Sequence, residues 1–313
     1  MESREHVKLL VEVAELYWVE EKDQAEIARR IGYSRSMVSR LLSEARQRGI
    51  ITFTVSHPLE RVLDAEDRLI QKYGLRAARV SASVGVDAPG DVAQLAADTL
   101  RGQVTSDYVV ALTNGRAVSA VVDQLKPLRR SRVTAVQALG TVSLENQIVD
   151  SPEMCRRFAA RLHSRYRLLP APLVVGSVPL ARALLAEESV SATLSMAAHA
   201  DAMLTGIGSS APNEVGSIFR GLLRPAEYRG LTRAGAVGHV CGHHIDRNGM
   251  DIDSGLCRRL IAVPFRRLLE IPNVIAVAWG EEKVVPIRAA LAGGIVNTLV
   301  TDIMTAEAVL GEG

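Results

Sequence analysis

Residues 24–49, QAEIARRIGYSRSMVSRLLSEARQRG, decide how the front of this chain folds. Asp23, with Glu26 three places on, has the spacing of a capping box and predicts a helix from Gln24. Ala28 is small enough for a second helix to cross closely, and Gly32 supplies the positive φ of a tight inter-helix turn. Ser34 is a good N-cap for that second helix, in which Val38, Leu41 and Leu42 share one face. The pattern is a helix-turn-helix. Arg35, Ser36, Ser39 and Arg40 then lie at the exposed start of the second helix, where base edges and phosphates are met. With Gln24 and Ser34 they make up the expected DNA-contacting set. Between Glu26 and Ile50 there are six arginines against two acidic residues, whereas residues 1–24 are acidic. That local basic footprint suits a module gripping the phosphates of double-stranded operator DNA. A basic helical hairpin with no role on DNA is the alternative.

On the N-terminal side, residues 6–19 have apolar positions at helical spacing and predict a first helix packed on the helix-turn-helix. Tyr17 and Trp18 belong either to its core or beside DNA. On the C-terminal side, ITFTV at 51–55 predicts a wing or the edge of a small sheet, before His57-Pro58 breaks the chain. Leu59, Val62, Leu63, Leu69, Ile70 and Tyr73 then mark a helix ending at Gly74. It is too short for a stable coiled coil alone, and its expected role is a linker pairing two subunits on a two-fold operator. An ordinary domain helix is the alternative. The expected division is therefore 1–56 for a winged-helix-like DNA-binding domain, 57–74 for a linker and dimerisation helix, and 75–313 for an effector domain.

A chain of 313 residues has room for a small and a larger domain. It is 48% hydrophobic but only 4% aromatic, so the larger core should be aliphatic. The net charge of +2 carries no information about partners; only its segregation does. Three cysteines without a CxxC pair fit a reduced, cytoplasmic protein. No apolar run has the length of a membrane span, and the N-terminus lacks the apolar core of a signal peptide.

Beyond Leu75 strands and helices alternate. Residues 108–113 and 133–139 predict strands, 116–125 and 152–166 helices, 168–175 an extended segment and 180–200 a largely helical one. Residues 202–208, 274–278 and 295–300 predict further strands, with a helix to Leu291 and Thr301/Asp302 capping a terminal helix. This alternation implies an α/β fold with a mainly parallel sheet. Ligands of such sheets lie outside the carboxyl ends of the strands. Those ends are Thr113-Asn114-Gly115-Arg116, Gly140-Thr141, residues 206–208 and residues 280–283. In the first, a hydroxyl, a Gly and an Arg precede a helix N-terminus, the right set for an anion, and Lys283 offers a second cation. A phosphorylated small molecule is the expected occupant, ordinary βα turns the alternative.

The chain resembles the SorC/DeoR-type sugar-sensing transcriptional regulators of bacteria. The resemblance covers nearly its whole length, on QAEIARRIGYSRSMVSRLLSEARQRGII, PAPLVV, DAMLTGIG, GAVGHVCGHHID and the specific block from Ile271 to Leu310. It implies a Rossmann-like effector domain related to the phosphosugar isomerases, sensing a sugar, sugar phosphate or related metabolite. It implies that Thr113, Asn114, Gly115 and Arg116 form the phosphate loop, that Gly140 and Thr141 match a second Gly-rich loop, and that Lys283 follows the family's AGG-like turn. It also implies homodimers joining into homotetramers, and no metal or cofactor. The chain departs from the family pattern at three places. His239 stands where GAVGD has a carboxylate, Trp279 where a Gly is usual, and Ala138-Leu139-Gly140 is poorer in Gly. The phosphate grip is thus expected to persist while hydroxyl recognition changes, pointing to a polyol or its phosphate.

His239, Cys241, His243 and His244 contain good zinc ligand types, but their spacing is not a standard zinc pattern, and a core or pocket cluster is the expectation. A pocket His239 would make affinity pH-dependent near pH 6.5. A phosphosugar isomerase- or deaminase-like enzyme fused to a DNA-binding module is the alternative to a regulator. It requires a positioned acid and base, and Glu281 and Glu282 are adjacent rather than paired across a site.

Overall fold

The structure is a computed structural model that describes residues 4–51, 58–127, 132–142, 150–210, 217–219 and 222–311. It divides into two compact units, Met1–His57 and Pro58–Gly313. The expected β-rich wing at 52–55 lies outside the described residues, as does Ser143.

In the first unit, α1 (Arg4–Trp18), α2 (Gln24–Ile31) and α3 (Arg35–Gln47) enclose one core. The Asp23 carboxylate accepts from the amides of Ala25 and Glu26, both at 2.8 Å, and starts α2. These bonds to the charged form also hold its pKa below the usual carboxylate value. The reciprocal half of the expected capping box is replaced, because Glu26 instead accepts from Lys22 Nζ at 3.2 Å. Gly32 closes α2 at φ 73°, a left-handed conformation that costs an L side chain about 1 kcal/mol or more. Ser34 Oγ accepts from Met37 N at 3.2 Å and starts α3. Val38, Leu41, Leu42 and Ala45 then bury against Leu10, Val13, Ile27 and Ala28. Tyr17 and Trp18 are partly buried on this core with their rings edge to face at 5.1 Å, which settles them as packing residues.

The second unit is a three-layer α/β fold. Its strands are β1 (Ala77–Ser81), β2 (Val109–Leu112), β3 (Thr134–Gln137), β4 (Arg165–Arg167), β5 (Ala202–Ser209), β6 (Gly238–Val240), β7 (His243–Ile245), β8 (Val274–Val277) and β9 (Thr298–Asp302). The main sheet runs β1-β9-β8-β5-β2-β3-β4, with every neighbouring pair parallel. Runs such as VVAL and VIAV are apolar on both faces because both faces are covered. Helices α5 (Ala88–Gln103), α6 (Arg116–Gln124) and α7 (Ser151–Leu162) cover one face. On the other lie α4 (Pro58–Tyr73), α8 (Val178–Ala186), α9 (Glu188–Ala198), α12 (Val284–Ala292) and α13 (Ile303–Leu310). The short α10 (Pro225–Arg233) and α11 (Phe265–Leu268) complete the unit.

Several boundaries differ from the sequence expectation for local reasons. Helix α4 belongs to the second unit: Val62, Ala65 and Leu69 enter its core, Arg61 pairs with Glu307 on α13, and Tyr73 Oη donates to Val309 O at 3.2 Å. Leu59 and Leu63 remain exposed, so only that edge of the expected stripe is left for subunit pairing. The helix expected over 152–166 stops at Leu162, because His163 takes a left-handed φ of 46° and sends Tyr166 into β4. The helical run 180–200 breaks at Glu187 into α8 and α9. The last strand starts at Thr298 rather than 295, and Asp302 caps α13 by accepting from Thr305 N at 2.9 Å. Strand β1, helix α5 and the β6–β7 hairpin have no counterpart in the expectation.

Gly140 is a packing glycine. A Cβ there would lie 2.4 Å from the backbone of Pro172, which crosses it to form the Thr141↔Pro172 bridge. Gly140→Ala is expected to destabilise the second unit by about 3 kcal/mol or more. Urea unfolding that left the midpoint unchanged would contradict this packing.

Candidate functional site

Chain order places a topological switch at β2 and β5, which are sheet neighbours. From β2 the chain steps to β3 and β4 at one edge; from β5 it steps to β8 and β9 toward the other. A crevice opens outside the carboxyl ends of strands that diverge in this way. Three of the four segments expected to bind ligand follow β3, β2 and β8, while residues 206–208 lie within β5 itself; β3, β2, β5 and β8 are consecutive in the sheet, so all four meet at its carboxyl edge.

Thr113 and Asn114 are buried at the end of β2, where Thr113 Oγ1 bonds Thr205 Oγ1 of β5 at 3.2 Å. Gly115 follows at φ 118° and ψ 161°, a conformation restricted to glycine, and is the N-cap of α6. The first amides of α6, beginning at Arg116, have no intrahelical acceptors and point out of the helix end. Arg116 is exposed beside them, and no carboxylate among the described residues pairs with it.

The loop after β8 repeats this backbone but not its openness. Gly280 has φ 104° and ψ 152° and precedes a short 3-10 turn, Glu281–Lys283, that leads into α12. Here the Glu282 carboxylate lies against Gly280, within 2.6–3.1 Å of where a Cβ would stand, and the Gly280 amide donates to Thr305 Oγ1 at 2.8 Å. Gly115, by contrast, has nothing within 4 Å of that position. The Glu282 carboxylate thus lies against one of these two glycines, while the other faces open space. Trp279 packs partly buried on the α5–α7 core, so its indole serves the fold.

At Gly140 and Thr141 the amides donate to Ile261 O at 2.8 Å and Ala171 O at 2.9 Å, and the Thr141 side chain is half-buried.

Strand β5 overshoots its neighbours. Leu112↔Leu204 is its last pair with β2 and Val277↔Gly206 its last with β8, while Ile207–Ser209 pairs antiparallel with β6. A tight hairpin, with Cys241 at φ 48° and Gly242 at φ 83°, returns β6 to β7 and extends the end of β5 as an antiparallel wall. The register puts Gly208, His239 and His244 in one row. Gly208 is required there: its Cβ would fall 1.9 Å from His239 Nε2. Phe219 packs on both rings, at 5.1 Å from His239 and 4.7 Å from His244. His243 points to the opposite face, where Nε2 meets Val263 O at 2.9 Å. Alternation thus splits the histidines, and among the described residues no group of three or more His, Cys, Asp or Glu could hold a metal. Phe219 and Ser210 were not legible in the sequence, whereas His244 was named there as part of a core or pocket cluster. The alternating GHV and HHI around Cys-Gly carried the signal, without the usual Asn-Gly turn.

The pH expectation for His239 is overturned. Burial pushes its pKa well below the ordinary 6.5, helped by His244 and the positive charge of Lys283. The ring is neutral throughout the physiological range. Burial likewise lowers His244 to about 4, with His243 adding to the effect. Since the unfolded chain takes up these protons first, stability is full above pH 6.5 and is lost as pH falls toward 4. His244 alone should account for about 3 kcal/mol of that loss. Urea midpoints at pH 7 and pH 4.5 should converge in His244→Phe relative to wild type; an identical pH dependence would contradict the assignment.

With this geometry in hand, similarity identifies the family. Residues 57–311 match the Sugar-bind family, a sugar-binding domain. The chain is 30% identical over 319 residues to the sorbitol operon regulator of Klebsiella pneumoniae, covering 99% of this chain and 100% of that protein. It is 31% identical over 306 residues to the transcriptional regulator LsrR of the same species, covering 97% and 93%. The crystal structure of full-length SorC from Klebsiella pneumoniae superposes with a TM-score of 0.77 at 28% identity, covering 98% of this chain and 100% of SorC. No helix among the described residues is long and apolar enough to cross a membrane. The chain belongs to the sugar-binding transcriptional regulators.

Proposed function

We propose that this protein is a cytoplasmic, DNA-binding regulator of carbohydrate or polyol catabolism whose affinity for its operator is set by a phosphorylated sugar or polyol. The observation that carries the effector half is the helix start at Gly115-Arg116 beside the switch point, where Gly115 faces open space and Arg116 is exposed. A phosphate accepts from the first amides of α6 and pairs with Arg116. Asn114 and Thr113 shape the loop, and Lys283 and His239 border the remainder of the ligand. In the DNA half, Ser34, Arg35, Ser36, Ser39 and Arg40 are exposed along the start of α3, with Gln24 partly exposed at the start of α2. Two copies read a two-fold operator, and the effector acts by binding two subunit arrangements with unequal affinity. The relatives' regulatory roles support this assignment over a phosphosugar isomerase-like enzyme.

A thermal-shift screen of phosphorylated sugars and polyols tests the effector half. A ligand at 100 times its Kd should add about 2.7 kcal/mol to the stability of the folded state. No shift with any phosphorylated compound, or turnover of one, would overturn the proposal.

A further inference from the structure

Strand β5 sends the apolar Met203 and Ile207 into the core, and between them on the same face stands Thr205, at 0% exposure. Valine is the apolar residue of the same shape, and a buried hydroxyl needs hydrogen bonds to offset its desolvation. The Thr205 hydroxyl is bonded twice. It donates to Gly206 O at 3.0 Å and accepts from Thr113 Oγ1 at 3.2 Å. A hydroxyl carries a single proton, so with that proton on Gly206 O the Thr205 oxygen is left to Thr113. The other acceptor in reach of Thr113 Oγ1 is Asn114 O, more distant at 3.4 Å. The bonds therefore run one way, from Thr113 to Thr205 to Gly206.

This relay of bonds meets the loop assigned to the anion on both of its sides. The Thr113 amide donates to Leu204 O at 3.2 Å, so amide and hydroxyl both tie the end of β2 to β5. The chain then leaves the sheet at Gly115, with φ 118°, and α6 starts at Arg116. Gly206 lies against that same helix: a Cβ on it would stand 4.0 Å from Ala117 Cβ, in the first turn of α6. Thr205 and Gly206 thus hold the turn at Thr113 on the sheet side and at Ala117 on the helix side. Helix-start amides bind a phosphate over a narrow range of position and angle, about 0.5 Å in an organised site, so whatever fixes the turn sets the affinity.

We propose that Thr205 is a positioning residue of the effector site: its hydroxyl fixes Thr113, and through Thr113 the helix start that receives the phosphate. Being fully buried, it acts without touching the ligand. This rests on the assignment of the phosphate to Thr113–Arg116.

The test is calorimetric titration of the full chain with a hexitol 6-phosphate and with inorganic phosphate, alongside urea unfolding. Thr205→Val removes the hydroxyl and keeps the shape, and should weaken both ligands about 5-fold, the contribution of one neutral hydrogen bond. Thr205→Ser keeps the hydroxyl and loses a methyl group, so it should bind like wild type although its urea midpoint falls. Affinity then follows the hydroxyl and stability the methyl, a split that a merely structural threonine does not produce. Thr113→Val should weaken binding as Thr205→Val does, and the double variant no further. Wild-type affinity in Thr205→Val, or a loss in Thr205→Ser as large as in Thr205→Val, overturns the positioning role. Should Arg116→Ala weaken the hexitol phosphate while Thr205→Val does not, the anion loop stands and Thr205 is dismissed. Should Arg116→Ala leave that ligand unaffected, the anion loop falls and Thr205 with it. Binding of neither probe overturns both.

Discussion

Replacing Arg40 by alanine is expected to lower operator affinity about 30-fold or more, with effector affinity unchanged. Arg40 is exposed on the face of α3 that also carries Ser36 and Ser39, opposite the buried Val38, Leu41 and Leu42. In the proposed reading Arg40 meets a guanine edge, and a bidentate contact of that kind contributes about 1–3 kcal/mol of discrimination. A dimer on a two-fold operator makes that contact twice, which doubles the loss to about 2–6 kcal/mol. Alanine is a strong helix former and Arg40 is solvent-exposed, so the stability of the first unit should move by less than about 0.5 kcal/mol. Fluorescence anisotropy with a labelled promoter fragment, run across a salt series, measures both terms. Equal affinity for wild type and R40A would remove Arg40 from the contact surface.

Arg116→Ala is expected to cost about 1.5–3 kcal/mol of effector binding, roughly 10- to 100-fold, because it removes a charge-assisted bond to the phosphate. Operator binding without effector should be untouched. The side chain is exposed, so the fold does not depend on it. An unchanged effector dose-response in the variant would dismiss the anion site at the start of α6.

What the sequence revealed and what it concealed divide along physical lines. Features set by neighbours in the chain were legible: the caps Asp23, Ser34 and Asp302, the left-handed Gly32, and the apolar runs of β2, β5 and β8. Strand β1 was hidden because Arg79 interrupts it; that side chain reaches back to Glu66 on α4, a partner no local pattern names. The β6–β7 hairpin was hidden because its turn places a cysteine rather than Asn at positive φ ahead of Gly242. The turn from β2 into α6 was legible because Thr113, Asn114, Gly115 and Arg116 are adjacent in sequence. The backbone partners of Gly140 and Thr141 were not legible, because their amides bond residues 261 and 171, far along the chain. His239 misled similarly: its position was visible, but the burial that keeps it neutral arises from Phe219, Gly208 and His244 closing around it.

The central claim is that one chain couples a cationic DNA reader to a phosphate-gripping pocket. The most direct measurement is anisotropy of the full-length protein on its promoter fragment at low ionic strength, with and without a saturating hexitol phosphate. The account predicts tight, salt-sensitive binding whose affinity changes at least 10-fold with the ligand in wild type and not in Arg116→Ala. Binding to the promoter that is no tighter than to unrelated DNA, or that ignores every phosphorylated ligand, would contradict it.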